Sequence, residues 1–168
     1  TFGIALVMRM QHLIFILLLL ISSISRADFV AAPDFHLKEL ANDTMHRLSD
    51  YRGTVIYLDF WASWCGPCRQ SLPALDRLQK EFSPDDFQVI AINLDEDSAE
   101  ALGFLADYPV DYTVLTEKTG KTQRAYHLVG LPSSFLIDQR GEVIGSFQGF
   151  KPDHIPKVKR AVNYLLEE

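Results

Sequence analysis

Two apolar runs in the middle of the chain are rich in β-branched and aromatic residues. Residues 54–62 read TVIYLDFWA, and residues 87–95 read FQVIAINLD. Because the hydrophobic side chains hardly alternate with polar ones, both runs predict strands buried on both faces of a sheet. A shorter run, DYTVLTE at 111–117, predicts a third strand. We expect the strand at 54–62 to be central.

Segments with the apolar spacing of helices lie between and after these strands. In CGPCRQSLPALDRLQKEF, at 65–82, the leucines and the final phenylalanine recur every three or four residues. That spacing places them on one face of a helix, which can then pack against the sheet. The other predicted helices are 98–108, 119–128 and 152–166.

A hairpin is predicted near the C-terminus. The strand SFLID, at 134–138, is followed by the turn QRGE, which contains Gly141, and then by VIGSFQGF at 143–150. Alternating strands and helices, followed by a hairpin and a closing helix, predict an α/β domain. Its central sheet should be mixed, with helices on both faces.

Residues 1–27 follow a different pattern. After Arg9 comes the unbroken apolar run 13–21, and Ser25 and Ala27 then have the spacing of a small-residue cleavage site. The run is shorter than the roughly 20 residues that a membrane-spanning helix needs. We therefore expect 1–27 to be a secretory signal peptide, with an uncleaved N-terminal membrane anchor as the alternative. Residues 28–168 would then form one exported domain.

Composition and charge exclude some functions. Hydrophobic residues make up 48% of the 168-residue chain, which suits one domain with a substantial core. The net charge of -6 is modest, and no basic stripe or run of like charges is present. Nothing in the chain therefore favours binding to nucleic acid or to an anionic membrane surface. We expect a monomer.

Both cysteines of the chain, Cys65 and Cys68, lie in the segment FWASWCGPCRQ. Their spacing alone leaves three uses open: a structural disulfide, a metal site or redox chemistry. A disulfide between them would close a very short loop, which the chain-entropy model values at roughly 2 kcal/mol, a small gain for a staple. A closed zinc site needs four ligands, and none of the five histidines lies at ligand spacing from the pair.

The local context favours redox chemistry. Cys65 lies where the predicted strand 54–62 ends and the helix begins, so free amide donors and the helix dipole would stabilise its thiolate. We therefore expect Cys65 to be the nucleophile. Cys68, one helical turn later, can attack a mixed disulfide on Cys65. Pro67 suits the first turn of a helix, and Gly66 allows a substrate backbone to approach closely.

The segment DFWASWCGPC, at 59–68, is very similar to the active-site sequence of the thioredoxin superfamily. Further segments resemble its TlpA and ResA branch of exported thioredoxins; they are APDF at 32–35, LSDYRG at 48–53, INLDED at 92–97 and GLPSSFLID at 130–138. The resemblance implies a thioredoxin fold with an additional helix and strand, here at about 96–117. It also implies a periplasmic reductant of protein disulfides. A membrane thiol carrier would supply the electrons, and the branch often serves cytochrome c maturation.

The same resemblance implies roles for individual residues. Pro132 matches the cis-proline of the superfamily, whose preceding residue, here Leu131, offers its backbone to an extended substrate. Asp59 matches the thioredoxin carboxylate that accepts a proton from the second cysteine. Trp64 would flank the sulfur of Cys65, which is expected to be exposed. The redox-active disulfide Cys65–Cys68 would then work without a metal or another cofactor.

Two positions depart from the related patterns. Many members of the TlpA branch carry a glutamate where this chain has Ser71, and thioredoxin has a lysine where alignment places Ala91. Asp59 would therefore lie in a buried strand without a cationic partner, and desolvation should raise its pKa.

The direction of electron transfer is predicted from Gly66 and Pro67. Strongly oxidising members of the superfamily stabilise the thiolate with polar or cationic residues between the cysteines, and these two are neither. The pair should therefore be a reductant. Two alternatives remain at this point: a copper-delivery module of the Sco type, with His127 as a possible distant ligand, and a peroxiredoxin-like peroxidase, whose APDF opening is similar.

Overall fold

A computed structural model describes residues 30–42 and 44–167. The predicted signal peptide or anchor at 1–27 lies outside the described residues. Within 30–42 and 44–167, none of the helices combines the length and the apolar composition that crossing a membrane requires.

The described residues form a sheet of eight strands. In chain order they are β1 (Val30–Ala31), β2 (His36–Glu39), β3 (Met45–Arg47), β4 (Val55–Trp61), β5 (Phe87–Asn93), β6 (Thr113–Thr116), β7 (Ser133–Ile137) and β8 (Glu142–Gln148). Across the sheet the order is β1-β8-β7-β4-β5-β6-β2-β3. The strands β4, β5 and β6 are parallel, and the other neighbouring pairs are antiparallel. The predicted mixed sheet is confirmed.

Helices cover both faces of this sheet. They are a 3-10 helix (Leu48–Tyr51), α1 (Cys68–Gln79), α2 (Ser98–Asp107), α3 (Lys121–Ala125) and α4 (His154–Glu167). The start of α2 follows from Asp97, whose side chain accepts a hydrogen bond from the backbone N–H of Ala99 at 2.9 Å. The helix and strand predicted at about 96–117 are present as α2 and β6, and β6 extends the parallel part of the sheet.

Strand β4 lies at the centre of the core, and all of its residues are buried. Tyr57 and Trp61 pack on the face covered by α1, α2 and α4, whereas Leu58 and Phe60 pack on the opposite face. Asp59 alternates with Leu58 and Phe60, so its side chain shares the face of Tyr57 and Trp61. The hydrophobic pattern of 54–62 therefore places one acid in the layer beneath α1.

Two features of the sequence prediction need correction. The regular helix begins at Cys68 and ends at Gln79, so it is shorter than the predicted 65–82, because residues before Cys68 form turns. The hairpin of β2 and β3 was not predicted. Its residues are largely polar and partly exposed, and β2 pairs with the inserted strand β6. Long-range pairing of this kind leaves little signal in local sequence.

Candidate active site

The two cysteines lie in the connection between β4 and α1. After Trp61 the chain forms a turn in which the N–H of Cys65 donates to the carbonyl of Ala62 at 3.1 Å. A second turn follows, in which the N–H of Cys68 donates to the carbonyl of Cys65, also at 3.1 Å. The two Sγ atoms are bonded at 2.05 Å, so the pair is present as a disulfide. The position predicted for the pair, at the junction of strand and helix, is confirmed.

The disulfide itself exposes almost no surface, whereas its neighbours Trp64 and Gly66 are accessible. Cys68 is fully buried, and Cys65 retains 3% of its accessible surface, so the prediction of an exposed sulfur is wrong for this disulfide form. The reason is that both cysteines belong to the apolar cluster that contains Trp61. Trp64, by contrast, is 70% exposed. Gly66 borders open space, because a Cβ atom there would meet nothing within 4 Å.

A buried polar network holds the chain just before Cys65. The carboxylate of Asp95 accepts hydrogen bonds from the backbone N–H of Ser63, at 2.9 Å to Oδ2, and from its hydroxyl at 3.0 Å. The side-chain amide of Asn93 donates to the same carboxylate at 2.7 Å. Asp95 is itself buried, so these donors compensate its desolvation. This anchor was not predicted from the sequence, although two polar residues at the end of the apolar run 87–95, Asn93 and Asp95, were a signal.

Asp59 occupies the centre of the sheet. On β5 its neighbour is Ala91, and on β7 its neighbour is Ser134. The Ser134 hydroxyl donates to Asp59 Oδ1 at 2.6 Å, whereas Oδ2 has no hydrogen-bond partner among the described residues. Burial raises the pKa of Asp59 to about 7, against a smaller lowering by the Ser134 hydrogen bond. The register supports the expectation that Ala91 replaces a cationic neighbour.

The loop before β7 contains the predicted cis-proline. The peptide bond between Leu131 and Pro132 is cis, as expected from the resemblance. The carbonyl of Pro132 accepts a hydrogen bond from the N–H of Gly149 at 2.8 Å, and the Ser133 hydroxyl donates to the carbonyl of Gly130 at 2.7 Å. Leu131 is partly buried and packs against both apolar clusters. These contacts fix the loop to the neighbouring strand and to the core.

Two further positions complete the surroundings of the disulfide. Ser71, which stands where related proteins carry a glutamate, is buried, and its hydroxyl donates to the carbonyl of Cys68 at 3.4 Å. Trp61 packs against Phe104 of α2, with ring centroids 5.1 Å apart. The inserted helix thus lies against the residue that precedes the active-site loop. Within the described part of the chain, no group of three or more His, Cys, Asp or Glu residues could hold a metal ion.

A sheet of this topology, with a Cys-Gly-Pro-Cys pair leading into α1, defines the thioredoxin-fold thiol-disulfide oxidoreductases, and the chain falls into this class. A family model described as Redoxin matches residues 30–165. The chain therefore belongs to the Redoxin family.

Individual relatives agree with this assignment. The thiol-disulfide oxidoreductase ResA of Geobacillus kaustophilus is 34% identical over 112 residues, which are 67% of this chain and 64% of that protein. The thioredoxin-like protein YneN of Bacillus subtilis is 34% identical over 115 residues, which are 67% of this chain and 66% of that protein. The chain thus matches slightly less than two thirds of the length of these two relatives.

A solved structure gives a longer match. The chain superposes on a crystal structure from Chlorobium tepidum, described as a thiol:disulfide interchange protein DsbE, with a TM-score of 0.77 and 42% sequence identity. This match covers 84% of this chain and 99% of that one. The predicted thioredoxin fold is confirmed.

Proposed function

We propose that this protein reduces disulfide bonds in client proteins outside the cytoplasm, using the Cys65–Cys68 dithiol. The main observation in support is the Cys65–Cys68 disulfide itself, formed at the start of α1 with only Gly66 and Pro67 between the two cysteines. An uncharged dipeptide offers the thiolate form of Cys65 little extra stabilisation, which favours the disulfide form of the enzyme and hence reduction of the client.

The reaction proceeds in two exchanges. The Cys65 thiolate attacks one sulfur of a client disulfide, a mixed disulfide forms, and the other client sulfur leaves as a thiolate that takes a proton. Cys68 then loses its proton to Asp59, directly or through a water molecule, and its sulfur attacks Sγ of Cys65. The second client sulfur leaves as a thiolate and takes up the proton that Asp59 accepted, directly or through solvent, and the Cys65–Cys68 disulfide forms. Two electrons have passed to the client, and an external dithiol must return them.

The surface around the pair suits an extended polypeptide. Trp64 offers an exposed aromatic face beside Cys65, and Gly66 leaves room for a backbone. Neither the backbone N–H nor the carbonyl of Leu131 makes a hydrogen bond among the described residues. Both groups can therefore pair with a client strand before the cis peptide bond to Pro132.

We assign the location and the partners from the N-terminal pattern and the relatives. The apolar run 13–21 supports export, with cleavage or retention as an anchor, and a membrane thiol carrier would be the electron donor. The pneumococcal exposed lipoprotein thioredoxin Etrx1 shares the fold, with a TM-score of 0.65 and 31% identity over 79% of this chain. An apocytochrome c would be a suitable client, because its haem-binding cysteines must be reduced before haem attachment.

Single-turnover kinetics with the full chain test the proposal. The reduced protein is mixed with a peptide that contains one disulfide, and thiol release is followed with time. Cys65→Ser should abolish release, and Cys68→Ser should stop after one thiol and retain the peptide as a mixed disulfide. Full turnover by the Cys68 variant would refute the two-cysteine mechanism. Rapid turnover of hydrogen peroxide, or tight binding of copper(I) that His127→Ala abolishes, would favour the alternatives instead.

A further inference from the structure

Ser134 makes an unusual contact for a residue in a buried strand. It lies on β7 directly opposite Asp59, and both residues are buried. Its hydroxyl donates to Asp59 Oδ1 at 2.6 Å. An apolar residue would fill this part of the core without a polar atom that needs a partner. The hydroxyl therefore requires an explanation beyond packing.

Among the described residues, the other groups that face Asp59 donate no hydrogen bond to its carboxyl. On β5 the neighbouring residue is Ala91, and all buried residues of α2 and α4 are apolar. The titratable groups nearby are Cys65 and Cys68, joined in the disulfide, the tyrosines Tyr57 and Tyr112, and Asp76 of α1. The carboxylate of Asp76 has its own donors, Lys80 Nζ and the backbone N–H of Asp111. Burial and, secondly, the charge of Asp59 raise the pKa of both tyrosines, so their hydroxyls stay neutral. The hydroxyl of Tyr112 donates to the carbonyl of Leu72 instead.

The two oxygens of the Asp59 carboxyl therefore have different surroundings. Oδ1 is held by Ser134, while Oδ2 has no partner within the described residues and is available for a proton. A hydroxyl that donates to a carboxyl oxygen stabilises the ionised form more than the protonated one. It also limits rotation of the carboxyl group, because it fixes one of the two oxygens.

We propose that Ser134 is a positioning residue for the resolving exchange: its hydroxyl orients the Asp59 carboxyl and keeps it competent as the base for Cys68. This inference rests on the proposed function, since it assigns Ser134 to the step in which Cys68 attacks Cys65. In this proposal Ser134 acts on the exchange through Asp59, and its side chain also hydrogen-bonds the phenol of Tyr57.

Ser133 provides a matched control. It precedes Ser134 on β7, its side chain lies on the other face of the strand, and its hydroxyl is bonded to the carbonyl of Gly130. Replacing either serine by alanine removes one buried hydroxyl from the same strand. The Ser134 variant alone should change the pH dependence of the resolving exchange.

The experiment is a single turnover of the reduced full chain with one equivalent of Ellman's reagent. Attack by Cys65 releases the first thionitrobenzoate, and attack by Cys68 on the mixed disulfide releases the second, so one absorbance trace separates both exchanges. In the wild type, the second rate should rise with pH as Asp59 ionises. Ser134→Ala should move the midpoint of that rise upward by about one pH unit, the equivalent of one hydrogen bond. Ser134→Thr, which keeps a hydroxyl, should restore it.

Two kinetic outcomes would overturn the inference. The first is a Ser134→Ala variant whose second rate falls by the same factor at every pH, as a purely structural role would give. The second is an equal midpoint shift in Ser133→Ala. Carboxyl-carbon NMR of the oxidised chain reads the pKa of Asp59 without turnover, and an unchanged value in Ser134→Ala would also refute the proposal. Failure to reduce any protein disulfide would instead refute the proposed function, while the NMR titration would still decide what Ser134 does to Asp59.

Discussion

Asp59 and Glu117 are both buried acids, yet their surroundings give them opposite properties. Burial alone would raise the pKa of Glu117, but hydrogen bonds from Thr119 and Thr122 outweigh it and lower the value to about 2. Its carboxylate accepts from the N–H and the hydroxyl of Thr119, at 2.6 and 2.7 Å, and from the N–H of Thr122 at 2.7 Å. Asp59 has the single donor Ser134, and burial raises its pKa to about 7.

Burial raises the pKa of both acids, and the hydrogen-bond donors around each one decide whether that effect is offset. Glu117 is ionised over the physiological range and ties the end of β6 to the start of α3. Asp59 changes protonation near neutral pH, which suits a group that takes a proton during turnover. One acid is structural, and the other is available for chemistry.

The two acids also affect stability in opposite directions. The folded state binds the Asp59 proton more tightly than the unfolded chain, so Asp59 lowers the free energy of unfolding as pH rises from about 4 to about 7. Glu117 holds its proton less tightly in the folded state. Its contribution is therefore present above about pH 4.5 and is lost as pH falls toward about 2.

The largest expected effect on stability is that of Asp59→Asn. Above pH 7 it should raise the free energy of unfolding by about 2–4 kcal/mol, because the variant buries no charge and an amide is easier to desolvate. Urea denaturation at pH 5 and at pH 9 measures this. The gain should be smaller at pH 5, and a gain equal at both pH values would contradict the assigned pKa.

The next effect is kinetic, and it concerns the same variant. Asp59→Asn should slow the resolving exchange by about 10²-fold or less at neutral pH, because Cys68 loses its proton acceptor. The first exchange, by Cys65, should be nearly unchanged, which makes it the internal control in the two-phase assay. Equal slowing of both phases would indicate a general disturbance of the site and would remove Asp59 from the mechanism.

Glu117→Gln should have a smaller effect, confined to stability. The glutamine amide is neutral and has an NH₂ group of its own, so it accepts less well from the three groups that donate to Glu117. The free energy of unfolding should therefore fall by about 2 kcal/mol at pH 7. The loss should shrink toward pH 2, where the wild-type residue becomes protonated. Both phases of thiol exchange should keep their wild-type rates. A changed pH profile of the second phase in Glu117→Gln would contradict the assignment of Glu117 to a purely structural role.

Local sequence predicted the parts of the site that lie in one continuous segment. Cys65 and Cys68 follow a buried strand and lead into a helix, and Asp59 stands out because its neighbours Leu58 and Phe60 are apolar. These features need only the hydrophobic pattern and the motif. The raised pKa of Asp59 could be expected for the same reason, since burial is its main cause.

The parts that were missed depend on contacts between distant segments. Ser134 reaches Asp59 across the β4–β7 register, and Asp95 reaches Ser63 from the end of β5. A serine within a strand, or an aspartate that follows a strand, carries no local sequence pattern that identifies its hydrogen-bond partner. The near-complete burial of Cys65 was missed for a similar reason, because it results from packing of the whole cluster around Trp61.

The central claim, that the Cys65–Cys68 pair works as a reductant, is tested most directly by its redox potential. Equilibrating the full chain with glutathione buffers should give a value nearer about -270 mV, the reducing end of the superfamily, than about -120 mV, the oxidising end. For a two-electron couple these ends differ by roughly 7 kcal/mol, so the measurement separates them clearly. A potential above about -170 mV would contradict the account and would assign the protein to disulfide formation instead.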